Sequence, residues 1–555
     1  MTRSSRLLGH WPLSVDALDA SPRGLPSVPS GVGFVSDPAV GSCAVFERGG
    51  RIRVPRSALA GLAGELTVSA WIRVPDRAYD VLGTIVSGFD PETRQGFELG
   101  LQDGVSTCSQ HNVANLEFGV DWGSAPRWAD CGRVGDGVGV WALAVHDGAL
   151  YAGSLGADDR GHVHRYADDR WDDLGAVGPA NSVTALASYD GSLFAATSRY
   201  RAGGSGLVES ANDAPGGEIY RLDGDAWVPA GRLPDVDSIS GFAVHGGELY
   251  ACALYQRGVF RYTGDGWESC GDPGRRLLAL GMYDGHLLGA GNDHPSVDEA
   301  IAKTARGEVI PPQDGFGGGV FAMTGPGTWS SLGFQRDTTQ VYSLAVAGDR
   351  LHASTWPNGL VYRYAGDGSW DHLGRLGDET EVMGLITYNG VLYGGTLPHA
   401  QVYRHAGSDR WDLVGTLDVA PDALYRRAAG LAVYDGDLFC GTLPSGRVHR
   451  MATGSVVTHD RSLGPGWHHV TATQGGRVTS LYVDGRLVSE RRVDPAVHWS
   501  AAEARTDLLI GTGTRATFAG GLREVRVYAE VLGAEAVEAL ATQDDPRLTR
   551  EEPVR

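Results

Sequence analysis

Lysine is all but missing from this chain of 555 residues: Lys303 is the only one, so the positive charge rests on Arg. We attribute that bias to a GC-rich genome rather than to function. Acidic side chains outnumber basic ones and leave a formal net charge of −20. Phosphate backbones would be repelled over most of such a surface, which argues against nucleic acid as a partner. No apolar run is long enough to span a bilayer, so no membrane partner is expected. The opening Met1-Thr-Arg-Ser-Ser-Arg-Leu-Leu-Gly-His-Trp-Pro has a basic start but lacks the apolar stretch of a secretory signal. The expectation is a cytoplasmic protein, or a secreted one whose sequence begins after a removed signal. The cysteines (Cys43, Cys108, Cys131, Cys252, Cys270 and Cys440) form no C-x-x-C pair and no metal-ligand spacing. Four of them fall in strands of the repeat described next, where Cys serves as a small apolar residue, so buried thiols are expected. Nucleophile elbows, Walker-type loops and zinc motifs are also missing.

Glycine is plentiful, with 81 residues, and it marks a repeat running from about Trp128 to Met451. Its clearest copies are Val361-Tyr-Arg-Tyr-Ala-Gly-Asp-Gly-Ser-Trp370-Asp-His-Leu-Gly374 and Val402-Tyr-Arg-His-Ala-Gly-Ser-Asp-Arg-Trp411-Asp-Leu-Val-Gly415. A Trp followed four residues later by Gly recurs at Trp128, Trp171, Trp227, Trp267, Trp329, Trp370 and Trp411, at spacings of 43, 56, 40, 62, 41 and 41. Two-residue turns recur beside them at Asp147-Gly148, Asp190-Gly191, Gly246-Gly247, Asp284-Gly285, Gly348-Asp349, Asn389-Gly390 and Asp435-Gly436. Such turns need positive φ and join antiparallel strands. Four short strands per period of about 41 residues is the signature of a propeller blade, so seven blades are predicted. The first Trp precedes the first turn and the last turn has no Trp after it. The strand around Trp128 is therefore expected to complete the last blade, which leaves no open sheet edge and brings the repeat's two ends together.

The flanks read as alternating strands, among them Leu66-Thr-Val-Ser-Ala-Trp-Ile-Arg-Val74 before the repeat. After it come Gly466-Trp-His-His-Val, Leu481-Tyr-Val-Asp-Gly-Arg-Leu and Leu522-Arg-Glu-Val-Arg-Val-Tyr528. With Ala70-Trp-Ile, these pieces resemble the laminin-G-like, concanavalin A-like jelly-roll family. That resemblance implies an all-β fold in which a seven-bladed β-propeller (127–451) is inserted into a concanavalin A-like (LamG) jelly-roll sandwich, whose parts are 1–126 and 452–555. It is weak for function, since such domains bind glycans, assist enzymes or act as scaffolds.

Two repeat units are enlarged, by Arg199 to Gly216 and by Asn292 to Gly318, both between second and third strands. Long loops on a rigid scaffold usually carry binding groups, and these two are expected to wall or cover one mouth of the ring. The repeated Arg before the outer turn (Arg165, Arg221, Arg261, Arg363, Arg404 and Arg450) recurs at equal position and is assigned to structure. His162 and His164 occupy packing positions of the repeat, so no metal is assigned to them. What breaks the repeat on the loop face is richer in Arg, His, Tyr and Trp than an acidic protein should be.

The candidates for substrate binding are Arg199, Arg201, Arg257, Asn292, Trp356, Asn358 and Arg427. Arg offers paired donors to a carboxylate and aromatic faces stack on sugar rings, so an acidic oligo- or polysaccharide is the expected partner. β-Elimination at a uronate needs the carboxylate neutralised, a base for the C5 proton and an acid for the leaving oxygen. Arg276 or Arg199 is assigned the first role, His294 or His399 the second, and Tyr255 or Tyr342 the third. This resembles seven-bladed polysaccharide lyases at the level of fold, without a diagnostic motif. A hydrolase would need two carboxylates, for which Asp235, Asp237, Asp293, Glu379 and Glu381 read as ordinary loop acids. A non-catalytic glycan-binding protein is the third option. No cofactor or catalytic metal is called for, and structural calcium is left open.

Overall fold

The computed structural model describes residues 6–59, 62, 64–105, 107–156, 159–292, 297–308, 318–334, 338–493, 506–542 and 545. Strands dominate. Among the described residues the two α-helices are short, Val297–Ala305 and Ala534–Thr542, and no described helix is long and apolar enough to cross a membrane.

The repeat folds as a β-propeller. All seven two-residue turns hold positive φ at both central positions, for instance Asp147 at 44° with Gly148 at 81°, and Asn389 at 44° with Gly390 at 73°. This twist suits the right-handed twist of the flanking strands, so each turn folds the chain directly back on itself. The Trp residues that mark the period are tie-bars. Each indole N–H donates to a carbonyl on, or one residue past, the outer strand of the preceding repeat unit: Trp411 to Leu373 and Trp370 to Leu332 at 2.8 Å, Trp329 to Cys270 at 3.2 Å, Trp267 to Ala230 at 2.9 Å and Trp227 to Leu174 at 3.3 Å. The cycle closes through Trp171 to Cys131 at 3.2 Å and Trp128 to Val414 at 2.8 Å. The entering strand Arg127–Arg133 pairs with Arg447–Ala452 and places Trp128 opposite Met451. It is the outer strand of the sheet that ends the repeat, as the offset between the Trp and turn series requires.

The expectation of seven blades is corrected: five stand as blades of their own. Five four-stranded sheets stand alone, built from 239–269, 277–331, 340–375, 381–416 and 427–452 with Arg127–Arg133. The first two repeat units each form four consecutive antiparallel strands, but they are continuous with the large flanking sheet. Single pairings make the connection, Leu155 with Ser182 and Ala187 with Gln110. The reason is proximity: the strand Gln110–Trp122 of the flanking sheet comes within backbone hydrogen-bonding distance of an inner strand of the ring.

The flanking segments form one sandwich. Glu65–Val74 pairs with Gly466–Gly475 on one side and with Gly521–Tyr528 on the other, and Gln110–Trp122 pairs with Ser455–His459. Trp11, Val68, Ile72, Phe97, Phe118, Leu481, Phe518 and Val525 share one buried core drawn from both ends of the sequence. All six cysteines are free, and five are buried. Repeated Arg residues pair with acids on adjacent strands, Arg404 with Asp412 of the outer strand at 2.7 Å and Arg261 with Glu248 of the second strand at 2.7 Å.

Candidate functional site

The inner strand of every repeat unit carries the same irregularity. Against its partner strand it holds one extra residue, which falls at Trp141, Thr184, Ser240, Leu278, Tyr342 and Met383 in the first six units. In the last unit the slip covers Ala429 and Gly430. A bulge takes a side chain out of the strand's alternation and re-aims it. Here it aims those six side chains into one cavity of about 160 Å³. Two residues ahead of the bulge is a second ring position. It holds Gly139, Ser182 and Ser238 in three units but Arg276, Gln340, Glu381 and Arg427 in the others, and these four larger side chains line the same cavity.

Glu381 and Arg427 are 4% and 5% exposed. Burial pushes the Glu381 carboxyl up to about 7, against the opposing pull of the Arg427 charge and of a hydrogen bond from the Tyr342 hydroxyl. Burial likewise holds the Tyr342 phenol well above its ordinary value, so it remains a proton donor. The Arg427 guanidinium lies 5.8 Å from the Trp141 ring centre and 5.4 Å from that of Tyr425. Its Nη2 donates to Gly204 O at 3.3 Å, whereas Nε and Nη1 meet no hydrogen-bond partner among the described residues. The same is true of Glu381 Oε1 and of the Trp141 indole N–H. Buried polar atoms are normally paired, and leaving one unpaired costs about 1–3 kcal/mol. Four such atoms, on three side chains, belong to the lining of this one cavity. Arg276 is held by Leu254 O at 2.9 Å and by Asn292 Oδ1 at 3.2 Å.

The two long loops meet above this cavity. Arg201 Nη1 donates to Asp298 Oδ1 at 3.0 Å, and the Tyr425 hydroxyl donates to Thr304 O at 2.9 Å. Arg201 and Gly204 from one loop, and Ala300, Ile301 and Thr304 from the other, complete the lining. Tyr255 accepts a hydrogen bond from the Arg201 backbone N–H at 3.0 Å, and burial raises its phenol pKa.

Of the residues expected from sequence, Tyr255, Tyr342, Arg276, Arg201, Asn292, Trp356 and Arg427 are brought together. Arg199, Arg257 and Asn358 are exposed and lie outside the cavity lining. His399 is also outside it: the side chain is 53% exposed and its Nδ1 sits 2.5 Å from Glu379 Oε1. His294 lies outside the described residues. Glu381, read as an ordinary loop acid, is instead the cavity's carboxylate. The available signal was its register, since it stands eight residues before its turn, as Arg276 and Arg427 do before theirs. Thr107 and Cys108 of the flanking sandwich also line the cavity and had no sequence signal. Among the described residues no group of His, Cys, Asp and Glu is arranged to hold a metal ion, the His162–His164 pair included.

Residues 445–538 match a family model described as the concanavalin A-like lectin/glucanases superfamily. No curated protein matches the chain. Solved structures similar to it include a streptogramin B lyase, with 11% identity over 59% of this chain and 98% of that one and a TM-score of 0.42. A catalytically inactive virginiamycin B lyase from Staphylococcus aureus with quinupristin is also similar, with 12% identity over 59% and 99% and a TM-score of 0.41. The WD40 propeller domain of Doa1 has 12% identity over 59% and 97%, with a TM-score of 0.40.

Proposed function

We propose that the protein is a carbohydrate-active enzyme that cleaves a uronic-acid-containing glycan by β-elimination in the cavity of the propeller. The observation that carries this is Glu381, a buried carboxylate poised near pH 7 between the Tyr342 hydroxyl and the Arg427 charge. In this scheme Arg427 and Arg276 face the substrate carboxylate and draw off the charge that develops as C5 loses its proton. Glu381 takes that proton in place of His399. The electrons form the C4=C5 double bond, the C4–O bond breaks, and Tyr255 or Tyr342 protonates the departing oxygen. Binding itself would activate the base. A carboxylate arriving at Arg427 offsets the positive charge that holds Glu381 down, so Glu381 becomes a stronger base with the substrate in place.

Hydrolysis is less well supported, because the described lining supplies Glu381 as its single carboxylate whereas two normally flank the bond. The scaffold we read as a ring of seven four-stranded units (127–451) set into a sandwich made of 1–126 and 452–555. The closed cycle of Trp bonds and the bulge common to all seven inner strands support that count. The strand pairing between the two flanks supports the insertion. The test is incubation with uronate-containing glycans. New absorbance near the ultraviolet edge, lost in Glu381→Gln, is the expected result. Reducing ends gained without that absorbance would favour a hydrolase instead.

A further inference from the structure

The cavity has a floor, and the floor comes from the other half of the molecule. The sandwich strands Gln95–Val105 and Gln110–Trp122 run together into the ring, and their partners climb its inner strands. Near the two-residue turns, Asn112 Oδ1 accepts from Val433 N at 3.1 Å while its Nδ2 donates to Val433 O at 2.8 Å. On other units, Gln110 Oε1 accepts from Val244 N at 2.9 Å and Gln102 Nε2 donates to Thr387 O at 2.9 Å. Further in, Ser109 Oγ accepts from Leu186 N at 3.3 Å. Innermost, at the level of the bulges, the Thr107 hydroxyl donates to Met383 O. A Cβ placed on Gly241 would come within 3.0 Å of Thr107 O, so the connection is wedged against the ring wall. Thr107 and Cys108 thus close the channel from the side of the turns, and a chain cannot thread through the ring.

The remaining space is about 160 Å³. An apolar cavity of about 150 Å³ takes one benzene molecule, so a space of this size has room for no more than one sugar ring. The groups assigned to the chemistry line that one space, so the uronate that loses its C5 proton must occupy it. Its C4 substituent, the leaving chain, has to extend out through the mouth, since the floor is shut. Nothing of any length can then be attached at C1.

Resting on the β-elimination scheme above, we infer that the enzyme is exo-acting and takes the reducing-terminal uronate of an acidic chain, releasing one unsaturated monosaccharide per turnover. The bond broken is the C4–O bond of that terminal residue, and the shortened chain leaves with a new reducing end after its oxygen is protonated.

The experiment uses oligomers of galacturonate, glucuronate and mannuronate, short and long, carrying carbon-13 in the reducing-terminal residue so that C1 stays free. Labelled unsaturated monosaccharide as the first product, with no unsaturated oligomer, is expected. Unsaturated oligomers from the first turnovers would overturn exo action while leaving the elimination intact. Should no unsaturated product form from any of them, the β-elimination scheme fails, and the number of protein molecules bound per chain decides the inference about the chain end. One per chain at every length would keep a closed, end-binding pocket, whereas a number that grows with length would remove it. No binding to any of these chains would sink both proposals.

Discussion

Two buried clusters of Arg and Glu lie within this molecule, and they are finished differently. In the sandwich, Arg515 places Nη1 on Glu98 at 2.8 Å and Nη2 on Glu117. Glu98 also accepts from the backbone and hydroxyl of Thr514, each at 2.8 Å, and Glu117 from Gln102 at 2.8 Å. Gln102 carries the network on to Thr387 of the propeller. In the cavity, Arg427 and Glu381 are as deeply buried, yet Arg427 keeps two nitrogens and Glu381 one oxygen without a partner among the described residues. Burial alone therefore does not separate a joint from a site. What separates them is how far the protein itself completes the hydrogen bonding: among the described residues Arg515 leaves only Nε without a partner and neither of its carboxylates has an unmet oxygen, whereas in the cavity both the cation and the carboxylate are left incomplete.

The sharpest way to break that contrast is to exchange the effects of the two clusters. Glu381→Gln should lower turnover by about 10²–10⁴-fold, the span expected for loss of a positioned acid–base group, while circular dichroism and the unfolding midpoint stay close to those of the parent. Arg515→Met should do the reverse. It leaves Glu98 and Glu117 buried without their cation, and denaturant titration should find a loss of about 3–5 kcal/mol with turnover per folded molecule unchanged. If Arg515→Met were as stable as the parent and inactive, the division into joint and site would be wrong.

Much of the joint and the ring was legible in the residues. Turns such as Asp147-Gly148 and Asn389-Gly390 announce themselves because few residue types tolerate positive φ. The Trp period is legible because each indole serves the same bond in every unit. Other features were not. Five sheets stand alone while two run into the sandwich because of single pairings such as Ala187 with Gln110, and no residue pattern encodes a lone bridge. The bulge is also silent in the sequence, since it is a property of the pairing between two strands. The register linking Arg276, Gln340, Glu381 and Arg427 can be counted back from the turns, but without the bulge nothing marks that position as facing a cavity, and aromatic and basic loop residues such as Arg199 and Arg257 look equally good. The cavity floor at Thr107 and Cys108 was hidden for a third reason: it lies in a different part of the chain from the repeat.

Smaller effects sharpen the assignment within the cavity. Arg427→Met removes charged donors assigned to the substrate carboxylate, each worth about 1.5–3 kcal/mol, so KM should rise by at least about tenfold. The pH profile adds a second readout. A base must be ionised, so kcat/KM should climb about tenfold per pH unit below pH 7 and flatten above the Glu381 pKa of about 7. Because the Arg427 charge lowers that pKa, Arg427→Met should move the limb to higher pH. A limb that stays in place would show that Glu381 is not the titrating base.

The smallest effect is expected where the sequence alone had placed a catalytic base. The His399 ring is half exposed and its Nδ1 faces Glu379, which is 1% exposed and also accepts from the His399 backbone N–H at 3.1 Å and the Thr396 hydroxyl at 2.7 Å. Replacing the ring with Ala leaves both of those donors in place and removes a partly solvated pair worth about 1 kcal/mol or less. Turnover of His399→Ala on a uronate glycan should therefore stay within about twofold of the parent, equivalent to a few tenths of a kcal/mol. A fall of the size expected for Glu381→Gln would instead move the base out of the cavity and onto the loop. The bulge-lined space would then be a binding pocket next to the chemistry rather than the place where it happens.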